Sequence, residues 1–190
     1  MKLYGSTTSP YVRRIRIFTH SIELDFHTMD IFSPAGRKEL VAKNPTLKVP
    51  FLVDDEQYVF DSRVIYRYLT DKFELSAITW NEENQLTLID AVNDSLVQMF
   101  ILSNSGINTG DDALYFKLQR ERADMVFSEL DEQCRNGDFD TWHYPSISLY
   151  CLLDWAQFRE QADIEKFPAL VAFLQKHRQR EDVIATDPRA

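Results

Sequence analysis

Cysteine, glycine and proline are all scarce in this chain of 190 residues, which holds 2, 5 and 7 of them. Cys134 and Cys151 stand far apart with no second pair, so neither a disulfide framework nor a zinc site of cysteine type is supported, and two idle thiols are expected. So little Gly and Pro excludes collagen-like and low-complexity sequence. No uncharged apolar run approaches the roughly 18 residues of a membrane span. The opening MKLYGSTTSP has no apolar signal core after its single lysine, so the expected setting is the cytoplasm, away from membranes. Positive charge is short as well, with 21 Lys and Arg against 30 Asp and Glu and a net charge of −9. The deficit lies entirely after residue 80: 11 cations face 10 anions before that point, and 10 face 20 after it. A nucleic-acid partner would need a basic face to displace counterions from phosphates, and neither half offers one. The acidic half reads as solvated helix faces rather than a cation site, and no metal is expected.

The chain has ample material for packed cores, being 44% apolar and 13% aromatic. Its length suits one large domain or two small ones. The first 75 residues change period repeatedly. Lys2 to Gly5 is a short strand, and Ser9-Pro10 opens a helix whose Tyr11, Ile15, Phe18 and Ile22 fall at helical spacing. Residues 24–31 alternate like a strand, and 35–43 form a weaker helix that must stop before Asn44-Pro45. Residues 50–53 and 57–60 are β-rich and joined by the acidic turn at 54–56, a hairpin signal. Ser62 starts a helix that buries Val64, Ile65, Tyr68 and Leu69. The order βαβαββα is that of a thioredoxin-like α/β domain.

After Phe73 the β signal disappears. Thr79 to Glu82 fits a capping box and opens a long helix with Ile89, Val92, Leu96, Met99 and Ser103 on one stripe. A loop at 104–112, a second long helix at 113–133, an apolar helix at 147–158 and a last helix after Phe167-Pro168 follow. The expected organisation is a thioredoxin-like domain at 1–75 and an all-helical domain at 82–190.

Ser9-Pro10-Tyr11-Val12 sits at the turn from first strand to first helix, where a thioredoxin-like redox protein presents a pair of thiols. Both are absent, so dithiol exchange cannot run through these positions. The electrostatic site survives: free N–H groups, the helix dipole and the Ser9 hydroxyl would favour a bound thiol as thiolate. The same Ser-Pro pair is also an ordinary helix start, and Ser6, Thr7 and Thr8 are alternative hydroxyls. Pro50 stands at a strand start, where a missing N–H is tolerated and a cis peptide fits; that geometry would turn the Val49 main chain toward an extended peptide. A plain strand-initiating proline satisfies the same residues. Asp61-Ser62 offers N–H groups and a hydroxyl for a carboxylate and an acid for an ammonium group, or simply a helix cap. Together, the three would hold a thiol, a peptide backbone and an amino-acid head group, the parts of glutathione.

The segments LYGSTTSPYVRRIRI, NPTLKVPFLV and FDSRVIYRYL resemble the amino-terminal domain of the glutathione S-transferase superfamily, in its serine-type bacterial and plant classes. The helical half resembles the family's second domain, most recognisably at Leu152-Leu153-Asp154-Trp155. The resemblance implies that Ser9 hydrogen-bonds the glutathione sulfur and that Val49 pairs with the cysteinyl backbone across a cis Pro50. It further implies that Asp61 and Ser62 hold the γ-glutamyl end, with Lys48 and Arg37 or Lys38 facing the glycyl carboxylate. Glutathione is then a co-substrate, and its thiolate attacks a small hydrophobic electrophile in a pocket formed by Tyr11, Met99, Phe100, Ser103 and Asn104. For Met99 and Phe100, core packing is the competing reading. The resemblance also implies a homodimer. Departures are Leu47 where the family has Gly, Asp61 where Glu is commoner, and Ser146 to Leu149 without the Asp of the family's helix-capping box. Two rivals share the fold: a non-catalytic adaptor of the stringent-starvation type that binds a protein partner, and a glutathione-dependent thiol or disulfide reductase.

Overall fold

Gly5 ends the first strand, β1 (Lys2–Gly5), and a Cβ there would lie 2.4 Å from a Val12 methyl. Its bareness lets helix α1 (Pro10–Phe18) press its first turn onto the end of the strand. A computed structural model describes residues 1–190. After α1 come β2 (Asp25–Thr28), α2 (Pro34–Lys43), β3 (Phe51–Asp54), β4 (Gln57–Phe60) and α3 (Ser62–Lys72). The four strands form one sheet in the order β2-β1-β3-β4; β1 runs parallel to β2 and antiparallel to β3, and β3 and β4 form the hairpin. This is the thioredoxin-like α/β arrangement expected from the sequence.

Alternation along the strands gives the sheet two apolar faces. Leu3, Leu52 and Val59 stand in register on one of them, and the buried Val12, Ile15, Ile65 and Leu69 come from α1 and α3, which pack together. Tyr4 and Phe51 stand on the other face, stacked at 4.6 Å, and join Met29 and Leu40 in a separate cluster. The Lys43 ammonium closes that cluster's edge by donating to the Tyr4 hydroxyl at 3.0 Å.

The chain divides into two compact units, residues 1–77 with 179–190, and residues 78–178. The division departs from the expected one at the C-terminus, which the sequence assigns to the helical domain. The buried Arg13 on α1 accounts for the difference: it donates to the Val183 carbonyl at 3.1 Å and the Thr186 hydroxyl at 3.3 Å. These acceptors sit on the short helix α8 (Glu181–Ile184) and just beyond it. One turn of helix carries too little periodicity to be visible in the sequence.

The second unit holds α4 (Trp80–Asn104), α5 (Leu114–Arg135), α6 (Tyr144–Phe158) and α7 (Pro168–His177). Thr79 and Glu82 form the capping box at the start of α4. Glu82 also accepts from His143 Nε2 at 2.6 Å, and the other ring nitrogen of His143 lies 3.1 Å from Ser146 Oγ. Burial raises the Glu82 carboxyl, but the hydrogen bonds from Thr79 and His143 outweigh it and hold the group below its ordinary value. The start of α6 is thereby tied to the start of α4 without the capping-box Asp that Ser146 to Leu149 lack. The helix begins at Tyr144, three residues before the expected 147. The start of α7 is capped from α5, where the buried Asp131 accepts from the Ala169 and Leu170 amides at 2.7 and 3.1 Å. By length and composition α4 is apolar enough to cross a bilayer. Here it packs against α5 and α6, with Leu86, Ile89, Val92 and Leu96 buried.

Candidate functional site

Tyr4, Phe51 and Phe60 lie opposite one another across β1, β3 and β4. Because β3 runs against its neighbours, the chain leaves β1 after Gly5, enters β3 from Pro50 and leaves β4 at Asp61, all at one end of the sheet. β2 ends there too, since Gly5 pairs with Thr28. The topology therefore gathers Ser9, Lys48, Val49, Pro50, Asp61 and Ser62 at one sheet end, and β2 leads from that end into the helix that carries Arg37.

Ser9 is the N-cap of α1, half-buried, with extended backbone geometry. Its hydroxyl oxygen accepts from the Val12 amide at 3.4 Å, a long bond, and its own proton is donated to no group in the chain. Ser6 and Thr8 differ, because their hydroxyls bond each other at 3.1 Å. The Ser6–Thr8 pair commits one of its two protons and Thr7 makes no side-chain hydrogen bond, so what sets Ser9 apart is its place as N-cap, with a donor available at the positive end of a helix. Tyr11 is half-buried beside it, its ring 5.3 Å from the Arg14 guanidinium carbon.

The Val49-Pro50 peptide is cis. Val49 is half-buried, and its N–H and C=O make no hydrogen bond within the chain. The loop before it is built by Asn44, which is 1% exposed. Asn44 Nδ2 donates to the Lys48 carbonyl at 2.8 Å, and Asn44 Oδ1 accepts from the Thr46 amide and hydroxyl at 2.9 and 2.8 Å. Between them Leu47 adopts φ +56°, the left-handed conformation that glycine enters freely. Lys48, Arg37 and Lys38 are exposed.

Asp61 caps α3 through Oδ1, which accepts from the Arg63 amide at 2.8 Å, and holds φ at +72°. Such geometry is uncommon for a side-chain-bearing residue and clusters at ligand clamps. Asp61 is exposed, whereas Ser62 is buried and accepts from Arg14 Nη2 at 2.5 Å. Arg14 and Asn44 are the residues that sequence reasoning missed. An arginine inside an amphipathic helix and an asparagine before a proline both read as ordinary surface and boundary residues. Only burial distinguishes them.

Of the expected second-substrate residues, Tyr11 lies in the first unit and the others at the end of α4 in the second. Met99 and Phe100 are half-buried, Phe100 edge-on to Trp155 at 5.7 Å, while Ser103 and Asn104 are exposed. No group of three or more His, Cys, Asp or Glu is placed to hold a metal ion.

The family profile described as Glutathione S-transferase, N-terminal domain matches residues 3–77, the segment that carries all of the sheet-end geometry. Over that segment the chain is similar to the amino-terminal domain of the glutathione S-transferases. A GST-like protein of Escherichia coli K12, YibF, described as uncharacterized, is 26% identical over 99% of this chain and 98% of its own length. Glutathione S-transferase 3 of Zea mays is 34% identical over 76 residues, which span 38% of this chain and only 34% of the maize protein. A glutathione S-transferase structure from Methylobacillus flagellatus with GSH bound is similar in fold, with a TM-score of 0.85 at 21% identity over 98% of both chains.

Proposed function

We propose that this chain is a glutathione S-transferase that binds glutathione at the sheet end of its first unit, stabilises it as thiolate and transfers it to a small hydrophobic electrophile. The observation that carries this reading is the Ser9 hydroxyl, a half-buried N-cap whose proton is uncommitted at the start of α1. Donated to the glutathione sulfur, and helped by the helix dipole, it would lower the thiol pKa from about 8.5 toward 6 or 7, within the range of comparable sites. The unsatisfied N–H and C=O of Val49 suit the cysteinyl backbone. Asp61 and Ser62 suit the γ-glutamyl head group, and Lys48 with Arg37 or Lys38 suits the glycyl carboxylate. With an aryl chloride the sulfur forms a bond to carbon, chloride leaves with the electron pair, and the thiol proton passes to solvent. In the second unit, Met99, Phe100, Ser103 and Asn104 would receive the electrophile. The working form is a homodimer in the cytoplasm, which light scattering and cell fractionation test.

Calorimetry with glutathione and conjugation of chlorodinitrobenzene test the central reading. The wild type should bind and conjugate, and Ser9→Ala should bind with similar affinity but conjugate about 10- to 100-fold more slowly, the loss of one donor to a developing or stabilised anion. Equal rates would remove Ser9 from the mechanism. No heat with glutathione would leave the adaptor reading in its place.

A further inference from the structure

In the acid-rich second unit, most cations have a partner nearby. Lys117 pairs with Asp112, Arg135 with Asp131, Lys166 with Asp124 and Lys176 with Asp140. Arg120 donates to two main-chain oxygens and Arg122 to the side chains of Ser95 and Gln119. Arg178 is exposed to solvent. Arg159, the C-cap of α6, is different: it is half-buried, and its guanidinium makes neither an ion pair nor a hydrogen bond. Aromatic rings hold it instead. Its guanidinium carbon lies 4.5 Å from the Phe158 ring centroid and 5.1 Å from that of Phe100, which meets Trp155 edge-on. Nε is sealed from solvent with no acceptor, while the two terminal nitrogens remain accessible.

A guanidinium fixed against ring faces is oriented before a ligand arrives, and its forked donors match a carboxylate in geometry and charge. The ring contacts attract it modestly but leave the guanidinium without the acceptor that the unit's paired cations have. Phe100, against whose ring the guanidinium rests, is half-buried in the α4 segment whose Ser103 and Asn104 stay open to solvent.

We infer that Arg159 makes the second unit selective for aromatic electrophiles bearing a carboxylate, with the guanidinium taking the carboxylate bidentately and Phe100 supporting the ring. The inference rests on the transferase reading and narrows its substrate class. With 4-(chloromethyl)benzoate as the probe, the glutathione sulfur bonds to the benzylic carbon as the carbon–chlorine bond breaks. Chloride departs with the bonding pair, and the thiol proton goes to solvent.

The experiment compares kcat/KM for 4-(chloromethyl)benzoate and its methyl ester in wild type, Arg159→Leu and Arg159→Lys, after subtraction of the uncatalysed rate. The wild type should favour the carboxylate by about 10- to 100-fold, the worth of a charge-assisted hydrogen-bonded pair. Arg159→Leu should abolish that preference through KM for the carboxylate while leaving the ester rate unchanged, and Arg159→Lys should retain part of it. Arg159→Gln replaces Leu if the apolar variant fails to fold. A wild-type ratio near one, or a ratio unmoved by Arg159→Leu, overturns the inference while the ester rate leaves the transferase reading intact. Calorimetry with 1-naphthoate, without glutathione, separates the two failures. Heat that disappears in Arg159→Leu sustains carboxylate recognition by Arg159 even where neither electrophile is conjugated, and no heat together with no conjugation sinks both.

Discussion

Arg14 Nη2 donates to Ser62 Oγ at 2.5 Å, and both residues are 2% exposed. This bond joins the second turn of α1 to the first residue of α3, so the helix bearing Ser9 and the helix start bearing Asp61 are held in one frame. Replacing Arg14 by Met keeps the stem's volume and removes the donor. The expected cost is about 1.5–3 kcal/mol of stability, the range for a hydrogen bond to a charged group, read from urea unfolding. Calorimetry should show glutathione bound about tenfold more weakly, because the head-group end of the site loses its support. Unchanged affinity alongside reduced stability would restrict Arg14 to a structural role.

Leu47 carries φ +56° and is more than a third exposed, so its side chain has little packing to lose. Left-handed backbone costs a non-glycine residue roughly 1–2 kcal/mol, partly offset by the greater freedom of glycine in the unfolded chain. Leu47→Gly should therefore stabilise the protein by about 0.5–1 kcal/mol, seen as a higher urea midpoint with an unchanged slope. A lower midpoint would mean that Leu47 contributes packing that outweighs the strain.

The buried Asp54 accepts from the Lys72 ammonium and from the Tyr68 hydroxyl at 2.6 Å. These bonds, that of Lys72 first, hold its carboxyl below the ordinary value. A carboxylate stabilised in the folded state contributes stability that is present above its unfolded pKa of about 3.9 and lost as pH falls through the lower folded value. Asp54→Asn should lower stability at pH 7 by about 1–3 kcal/mol and flatten the acid limb of the stability profile below about pH 4. Parallel acid limbs for the two proteins would exclude Asp54 as a source of that limb.

Burial, with Asp131, Asp138 and Asp140 nearby, pushes the Cys134 thiol up to about 12. Cys151 is buried in α6. Cys134 therefore supplies no thiolate at neutral pH. Both should resist iodoacetamide at pH 8 in the native protein and react promptly once unfolded in urea, as mass spectrometry would show. Rapid native labelling of Cys134 would contradict this environment.

The alternation of β1 and the hairpin, the Ser9-Pro10 helix start and the Thr79 capping box are local chemistry, and the sequence alone carried them into a thioredoxin-like fold followed by helices. The cis bond at Val49-Pro50, admitted by the sequence beside a plain alternative, was settled by the structure. Three features had no local signature. The Arg14–Ser62 bond spans 48 residues, the Asp131 cap of α7 reaches across 38, and Arg13 holds the C-terminal segment from 170 residues away. Each depends on which polar side chain ends up inside, and a residue type does not encode its burial. Periodicity and caps are written within a few residues of where they act, so sequence determined every element except the one-turn α8, and their order. The partners of buried charges are chosen only when distant segments pack, so tertiary structure alone decided what supports the Ser9 site and which arginine is left facing a ring with no acid beside it.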